Sequence, residues 1–435
     1  MRSRKSFARV VALLPVVAAS VMMVASASAQ TESVLFDFGA PKSPGRAGYR
    51  PEGTLVMDAE GHLYGTTSGG GYTSTCGKGE SAGCGTVFEL GPKVGGGWTQ
   101  KVLHTFTNNG IDGIFPAFGL IFDAAGNLYG TTGGGGAYGD GSPFFGGTVF
   151  ELSPTSGGNW TEKILYNVGV DAVGNNPDSP VFFDAAGNLY GTTYWGGGGN
   201  GNHGMGCGGV YELTPTAGGV WTETTVHSFS GEDDGCTGED LILGADGNLY
   251  GTAAAGRYGY GLVFEMVQDS GGIWTEKILY AFQSGDGAID PNGLVFGPAG
   301  KLYGTAGGTG IYARDVSIFE LTPGSDGAWT ETIAYRFSNS SEGSGPGGLT
   351  FDTAGNLHGV TNAGGAHNFG TIFTLTPAVG GTWTETVVYS FAGGRDGEGP
   401  NPPVWNAAGD MFGTTYQGGT YHYGTVYKIV GAGPH

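Results

Sequence analysis

The chain has 435 residues, a formal net charge of −20 and a sequence pI near 4.6. So acidic a molecule excludes nucleic acid and anionic membrane surfaces as favoured partners. Glycine fills 91 positions, but these recur between aromatic and β-branched runs, which excludes a disordered chain and argues for many tight turns between strands.

The first element is a leader. Arg2, Arg4, Lys5 and Arg9 precede an apolar run over residues 10–24 and then Ala25, Ser26, Ala27, Ser28 and Ala29. This order reads as a secretory signal peptide over residues 1–29, cleaved after Ala29, and Pro15 and Ser20 weaken the competing reading of a membrane anchor. Cleavage removes four cations and takes the charge from −20 to −24. Residues 30–435 then form one domain, with no second apolar stretch long enough to span a bilayer.

Within that domain one phrase recurs seven times: GHLYGTT at Gly61, GNLYGTT at Gly126 and Gly187, GNLYGTA at Gly247, GKLYGTA at Gly300, GNLHGVT at Gly355 and GDMFGTT at Gly409. Successive copies lie 65, 61, 60, 53, 55 and 54 residues apart, close to the period of a large propeller blade. The second copy illustrates the unit. Residues 119–123 (GLIFD) predict a strand, AAGN a tight turn, residues 128–132 a second strand, residues 147–152 a third and residues 160–168 a fourth. Apolar spacing of three and four never persists long enough for a helix after the leader, so the class is all-β.

A sheet of four short strands cannot bury both faces alone. Arranging seven of them radially leaves only short, protected edges, which predicts a seven-bladed β-propeller of four-stranded antiparallel blades. A β-solenoid is the alternative, with shorter coils. Six fourth strands open with Trp-Thr, at Trp98, Trp160, Trp221, Trp274, Trp329 and Trp383, whereas the seventh repeat stops after its third strand. Residues 34–38 (VLFDF) match the VLHTF, ILYAF and VVYSF endings of the other fourth strands, so a strand over residues 33–38 is predicted to complete the last blade and close the ring.

The phrases GNLYGTT, GTVFELTP and GGxWTE resemble the tandem repeats of the "choice-of-anchor tandem repeat GloVer-containing" bacterial proteins over nearly the whole mature chain. That resemblance implies export and a repeat architecture. It implies no catalytic residues, because the family has no assigned activity. The varied C-terminal anchors of such proteins have no visible counterpart here, where the sequence ends GAGPH. The expected location is therefore secreted or in the bacterial cell envelope.

Four cysteines in an exported chain suggest two disulfides, with Cys76 and Cys84 in one glycine-rich loop and Cys207 and Cys236 flanking one repeat's outer strands. A four-cysteine metal site is the alternative, but no CxxC pair exists.

Loop length varies only between second and third strands and between blades, and in a propeller both open on one face. The long loops of the first three repeats carry Tyr72, Tyr138, Phe144, Phe145, Tyr194 and Trp195, and the later ones Tyr258, Tyr260, Tyr312, His367, Phe369, Tyr416, Tyr421, His422 and Tyr423. Rings among Gly and Asn suit stacking on sugar faces, and Tyr72, Tyr138, Tyr194, Trp195, Tyr258, Tyr312, His367 and Tyr423 are the expected ligand contacts. The competing reading is that they pin glycine loops by packing.

The connections between blades are acidic. Asp112, Asp233, Asp234, Asp286 and Asp396 are candidate calcium ligands, and Asp171, Asp290, Glu342 and Glu398 share their setting. Asp-Gly turn chemistry explains the same residues without a metal. Glu162, Glu223, Glu276, Glu331 and Glu385, recurring after Trp-Thr, read as scaffold acids, as do the recurring third-strand glutamates. His203 and His227 with Asp233 and Asp234 form the one asymmetric constellation, and no catalytic motif appears in its required context.

These features predict an exported binding module that recognises carbohydrate through its loop-rich face. Two alternatives stand beside it: a glycoside hydrolase or lyase using loops of the first three repeats, and a scaffold for another surface protein.

Overall fold

The structure, a computed structural model, describes residues 32–39, 47–71, 76, 83–139, 145–169, 174–197, 206–286, 289–307, 316–338 and 340–431, with the side chains of 237–239 excepted. The leader, Tyr72, Tyr312, Phe144, Asp171 and His203 lie outside these residues.

Seven antiparallel sheets make a closed seven-bladed β-propeller. Blade 1 runs Tyr49–Met57, Leu63–Gly69, Thr86–Pro92 and Trp98–Thr105, and each strand pairs with the next in sequence. Blades 2 to 6 repeat this order and end at Trp160–Asn167, Trp221–Ser228, Trp274–Ala281, Trp329–Arg336 and Trp383–Ser390. In blade 7 the outermost strand is Glu32–Asp37, antiparallel to Thr425–Ile429 with Val34 opposite Tyr427, so the N-terminal strand closes the ring as its sequence predicts. Further bonds seal that seam. Phe38 N donates to Gly424 O (3.1 Å), Arg50 N to Tyr423 O (2.8 Å) and Asn401 Nδ2 to Pro51 O (2.9 Å).

The recurring phrase has a physical reason at each position. Its leucine, or Met411 in the last copy, is fully buried. Its tyrosine packs edge-to-face on the next blade, as Tyr64 does on Phe122 (5.1 Å) and Trp160 (6.2 Å), which staples neighbouring sheets. Its glycine leaves room for a third-strand ring: a Cβ on Gly130 would lie 2.7 Å from the Phe150 ring. The AAGN turn is held by the preceding aspartate, since Asp123 Oδ1 accepts from Ala125 N (2.8 Å) and Asn127 N (2.9 Å) while Gly126 supplies φ of +84°.

Every fourth strand also carries one extra residue where it pairs with the third. In blade 1 the pairs Val87↔His104 and Phe88↔Val102 leave Leu103 unpaired, and Leu103 points into the core shared with blade 2. Blade 2 departs from expectation at its first strand, which shortens to Ile121–Phe122, while Gly113–Ile114 pairs instead with Gly134–Gly135 of the following loop. Disulfides join Cys76 to Cys84 and Cys207 to Cys236, the second tying blade 3 to blade 4.

Candidate functional site

First strands of the blades converge on the propeller axis. Where they open toward the long loops they enclose a depression of about 730 Å³, lined by Glu52, Asp240, Asn362, Phe369, Glu398, Asn401, Tyr416 and Gln417 among others. Residues from both ends of the chain meet there because the ring closes.

Backbone crowding shapes the wall. At Gly53, φ is +71° and a Cβ would sit 2.5 Å from Phe118 C and Gly119 N, so only glycine lets blades 1 and 2 approach this closely. Glu52 accepts from Ser68 Oγ at 2.5 Å, and burial raises its pKa against the opposing effects of that bond and of Arg50. Tyr416 lies under the Arg50 guanidinium, 5.6 Å from the ring centre. Asn401 spends its amide on Pro51 O and Thr414 Oγ1, while Asn362 and Gln417 expose their side chains. The depression thus presents ring, amide and carboxylate groups together, the set that orients a polyhydroxylated ligand.

The ring residues singled out from sequence are spread over five blades. Tyr138 is 56% exposed beside Gly169, and Tyr194, 43% exposed, meets Trp195 edge-to-face at 4.5 Å. Tyr258 is exposed beside Arg257, with 5.9 Å from guanidinium to ring centre, and His367 is exposed next to the depression's Asn368 and Phe369. Tyr423 is half-buried against Tyr49, ring centres 5.5 Å apart. The depression itself takes its rings from Phe118, Phe369 and Tyr416.

The candidate calcium ligands lie at separate blade junctions. Asp112, Asp234, Asp286 and Asp396 occupy one repeated position, where each accepts the backbone N–H that follows the buried end of a fourth strand: Thr107 N at 2.7 Å, Ser230 N at 2.8 Å, Gln283 N at 2.7 Å and Ala392 N at 2.5 Å. Glu342 does the same with Ser338 N (2.8 Å). Asp233 is exposed, 3.9 Å from Arg257.

Against these acids lies a second carboxyl from the following blade. Burial first, and the neighbouring carboxylate second, push Glu276, Glu331 and Glu385 up to about 7 and Glu32 up to about 8. Each junction also receives a fourth-strand ring. Tyr280 donates to Asp286 (3.0 Å) and Tyr389 to Asp396 (2.8 Å), whereas His104 and His227 take that place beside Asp112 and Asp234. The sequence signal for His104, absent from the candidates above, is its alignment with His227 at the same place in the VLHTF-type ending.

Residues 69–312 and 290–434 match the Gloeobacter/Verrucomicrobia repeat. The chain belongs to this repeat family. No curated protein matches this repeat protein. Among solved structures, the hydrazine synthase of Kuenenia stuttgartiensis is similar over 87% of this chain and 95% of its own, at 11% identity and a TM-score of 0.51. An aldose sugar dehydrogenase from Streptomyces coelicolor is similar over 92% of this chain and 98% of its own (11% identity, TM-score 0.41). A gluconolactonase from Xanthomonas campestris covers 71% and 82% (15% identity, TM-score 0.39). At these identities the likeness extends to the fold alone.

Proposed function

We propose that this repeat protein is an exported binding module that takes carbohydrate in the axial depression of its loop-rich face. The observation that carries the reading is the convergence of Tyr416 and Phe369 with Asn362, Gln417 and Glu52 around one open cavity. Rings stack on the apolar faces of sugars, and amides and carboxylates bond their hydroxyls. Tyr194, braced by Trp195, would serve as an outer platform for a longer chain. Two disulfides suit an oxidising compartment, and among the described residues no helix is long and apolar enough to cross a membrane.

A glycan array followed by calorimetry tests this. Tyr416→Ala and Asn362→Ala should each weaken binding about tenfold, the loss of one stacking or hydrogen-bonding contact. Binding that is absent across plant and bacterial glycans, or that survives both substitutions unchanged, overturns the reading. Released reducing ends or unsaturated products would replace it with an enzyme.

A further inference from the structure

We infer that two of the blade junctions are sites for a divalent metal of the zinc class, each built from one histidine and two carboxylates. The first joins His104 and Asp112 to Glu162 of the next blade, and the second joins His227 and Asp234 to Glu276. In each set the donor atoms lie within 4.8 Å of one another.

The separations are the telling feature. His104 Nε2 is 3.4 Å from Asp112 Oδ2 and 3.6 Å from Glu162 Oε2, and His227 Nε2 is 3.5 Å from Asp234 Oδ2. These are long for hydrogen bonds. They match the edge of a tetrahedron around zinc, which is about 3.4 Å when its ligands stand about 2.1 Å from the ion.

The unmet bonding capacity points the same way. Asp112 has a side chain only 7% exposed, and its Oδ1, His104 Nε2 and Glu162 Oε1 are shut off from solvent without a hydrogen-bond partner. His227 Nε2 and Glu276 Oε1 are in the same condition. Burying such atoms unpaired is expensive; an ion bound at Nε2 satisfies the imidazole directly, and its charge offsets the burial of carboxylates whose second oxygens hold no hydrogen bond.

The remaining contacts hold the donors in place. Thr107 N and Oγ1 donate to Asp112 Oδ2 at 2.7 and 3.1 Å, and Ser230 N and Oγ serve Asp234. Phe106 and Phe229 meet the two imidazoles edge-to-face at 4.7 and 4.6 Å. Such outer contacts orient metal ligands elsewhere. An imidazole donor and three protein ligands favour zinc-class ions over calcium, which prefers six or more oxygens.

The other junctions supply an internal control. Where tyrosine replaces histidine, its hydroxyl reaches Asp286 or Asp396 at 3.0 or 2.8 Å and satisfies the acid with a proton instead of a cation. His104→Tyr and His227→Tyr are therefore substitutions that the fold already accommodates at equivalent positions.

The test uses the full chain, produced without a polyhistidine tag, stripped with chelator and dialysed against zinc, manganese or calcium chloride. Elemental analysis should find two zinc ions per chain, and added zinc should raise the melting midpoint. Each single histidine variant should retain one ion and the double variant none, with the zinc-dependent rise abolished. A cobalt-loaded sample should show the intense visible bands of tetrahedral coordination, lost in the double variant. A zinc-free wild type overturns the inference, as does a double variant that keeps both ions. Stabilisation of wild type and double variant alike by calcium, without any by zinc, also overturns it.

Discussion

Replacing Phe38 with alanine tests whether the N-terminal strand is a structural member of the ring. Phe38 is fully buried at the seam between blades 7 and 1, against Phe36 (5.0 Å between ring centres) and Phe88 (5.3 Å), in a cluster with Leu55, Leu63 and Val426. Truncating a buried phenylalanine costs about 3–5 kcal/mol, from lost transfer energy and the cavity left behind. Unfolding entropy near 2.1 cal/mol/K per residue makes 4 kcal/mol equivalent to about 5 °C for a chain of roughly 400 residues. Phe391, the equivalent residue of blade 6, is equally buried and follows a fourth strand joined directly to its own blade. Scanning calorimetry should therefore show both Phe38→Ala and Phe391→Ala melting about 5 °C below wild type. If Phe391→Ala falls while Phe38→Ala stays within a degree of wild type, the terminal strand is dispensable and the closure argument fails.

Two other outcomes follow from the repeat. Folded-state pKa values of about 7 for Glu331 and Glu385 and about 8 for Glu32 lie above the ordinary carboxyl value of 4.5, so the native state holds protons that the unfolded chain releases. That contribution is complete below 4.5 and is lost as pH rises through 7 to 8, so the midpoint should fall between pH 5 and pH 8.5. Glu385→Gln should flatten the profile, and a midpoint that rises over this interval would refute the assignment. In the recurring phrase, Gly130→Ala forces a Cβ to 2.7 Å from the Phe150 ring and should destabilise by about 1–3 kcal/mol in urea titration. A neutral result there would mean that the ring moves freely.

Features set by local chemistry were legible in the sequence. The buried leucine, the stapling tyrosine and the turn aspartate recur at fixed spacing, so pattern alone located the strands, and VLFDF betrayed its kinship with the other fourth strands. Features set by ring curvature were not. The axial depression draws Glu52 and Tyr416 from opposite ends of the chain, and no spacing rule connects them. The junction acids were legible as turn residues but not as pairs, because Asp112 meets Glu162 only once blade 2 has turned to face blade 1. Fourth-strand glutamates looked like scaffold acids because they recur, and recurrence hid their role at the junctions.

The seam between blades 7 and 1 shows how that role is conditioned by its surroundings. Glu32–Asp37, the fourth strand of blade 7, lies beside Trp98–Thr105 of blade 1 and has Phe36 at the position where other blades carry histidine or tyrosine. Phenylalanine offers no polar atom to an acid. Opposite it, where other blades place a glutamate, stands Gln100, whose Nε2 donates to Ala47 O at 2.6 Å. A half-buried carboxylate without a proton, cation or donor would be penalised, and a neutral amide is not. The ring and the facing residue therefore change together: a glutamate faces tyrosine or histidine, and an amide faces phenylalanine. A Gln100→Glu substitution puts an acid opposite Phe36 without any of these partners. It should lower the melting midpoint at pH 8 more than at pH 5, whereas equal loss at both would mean that the facing residue is indifferent to its ring.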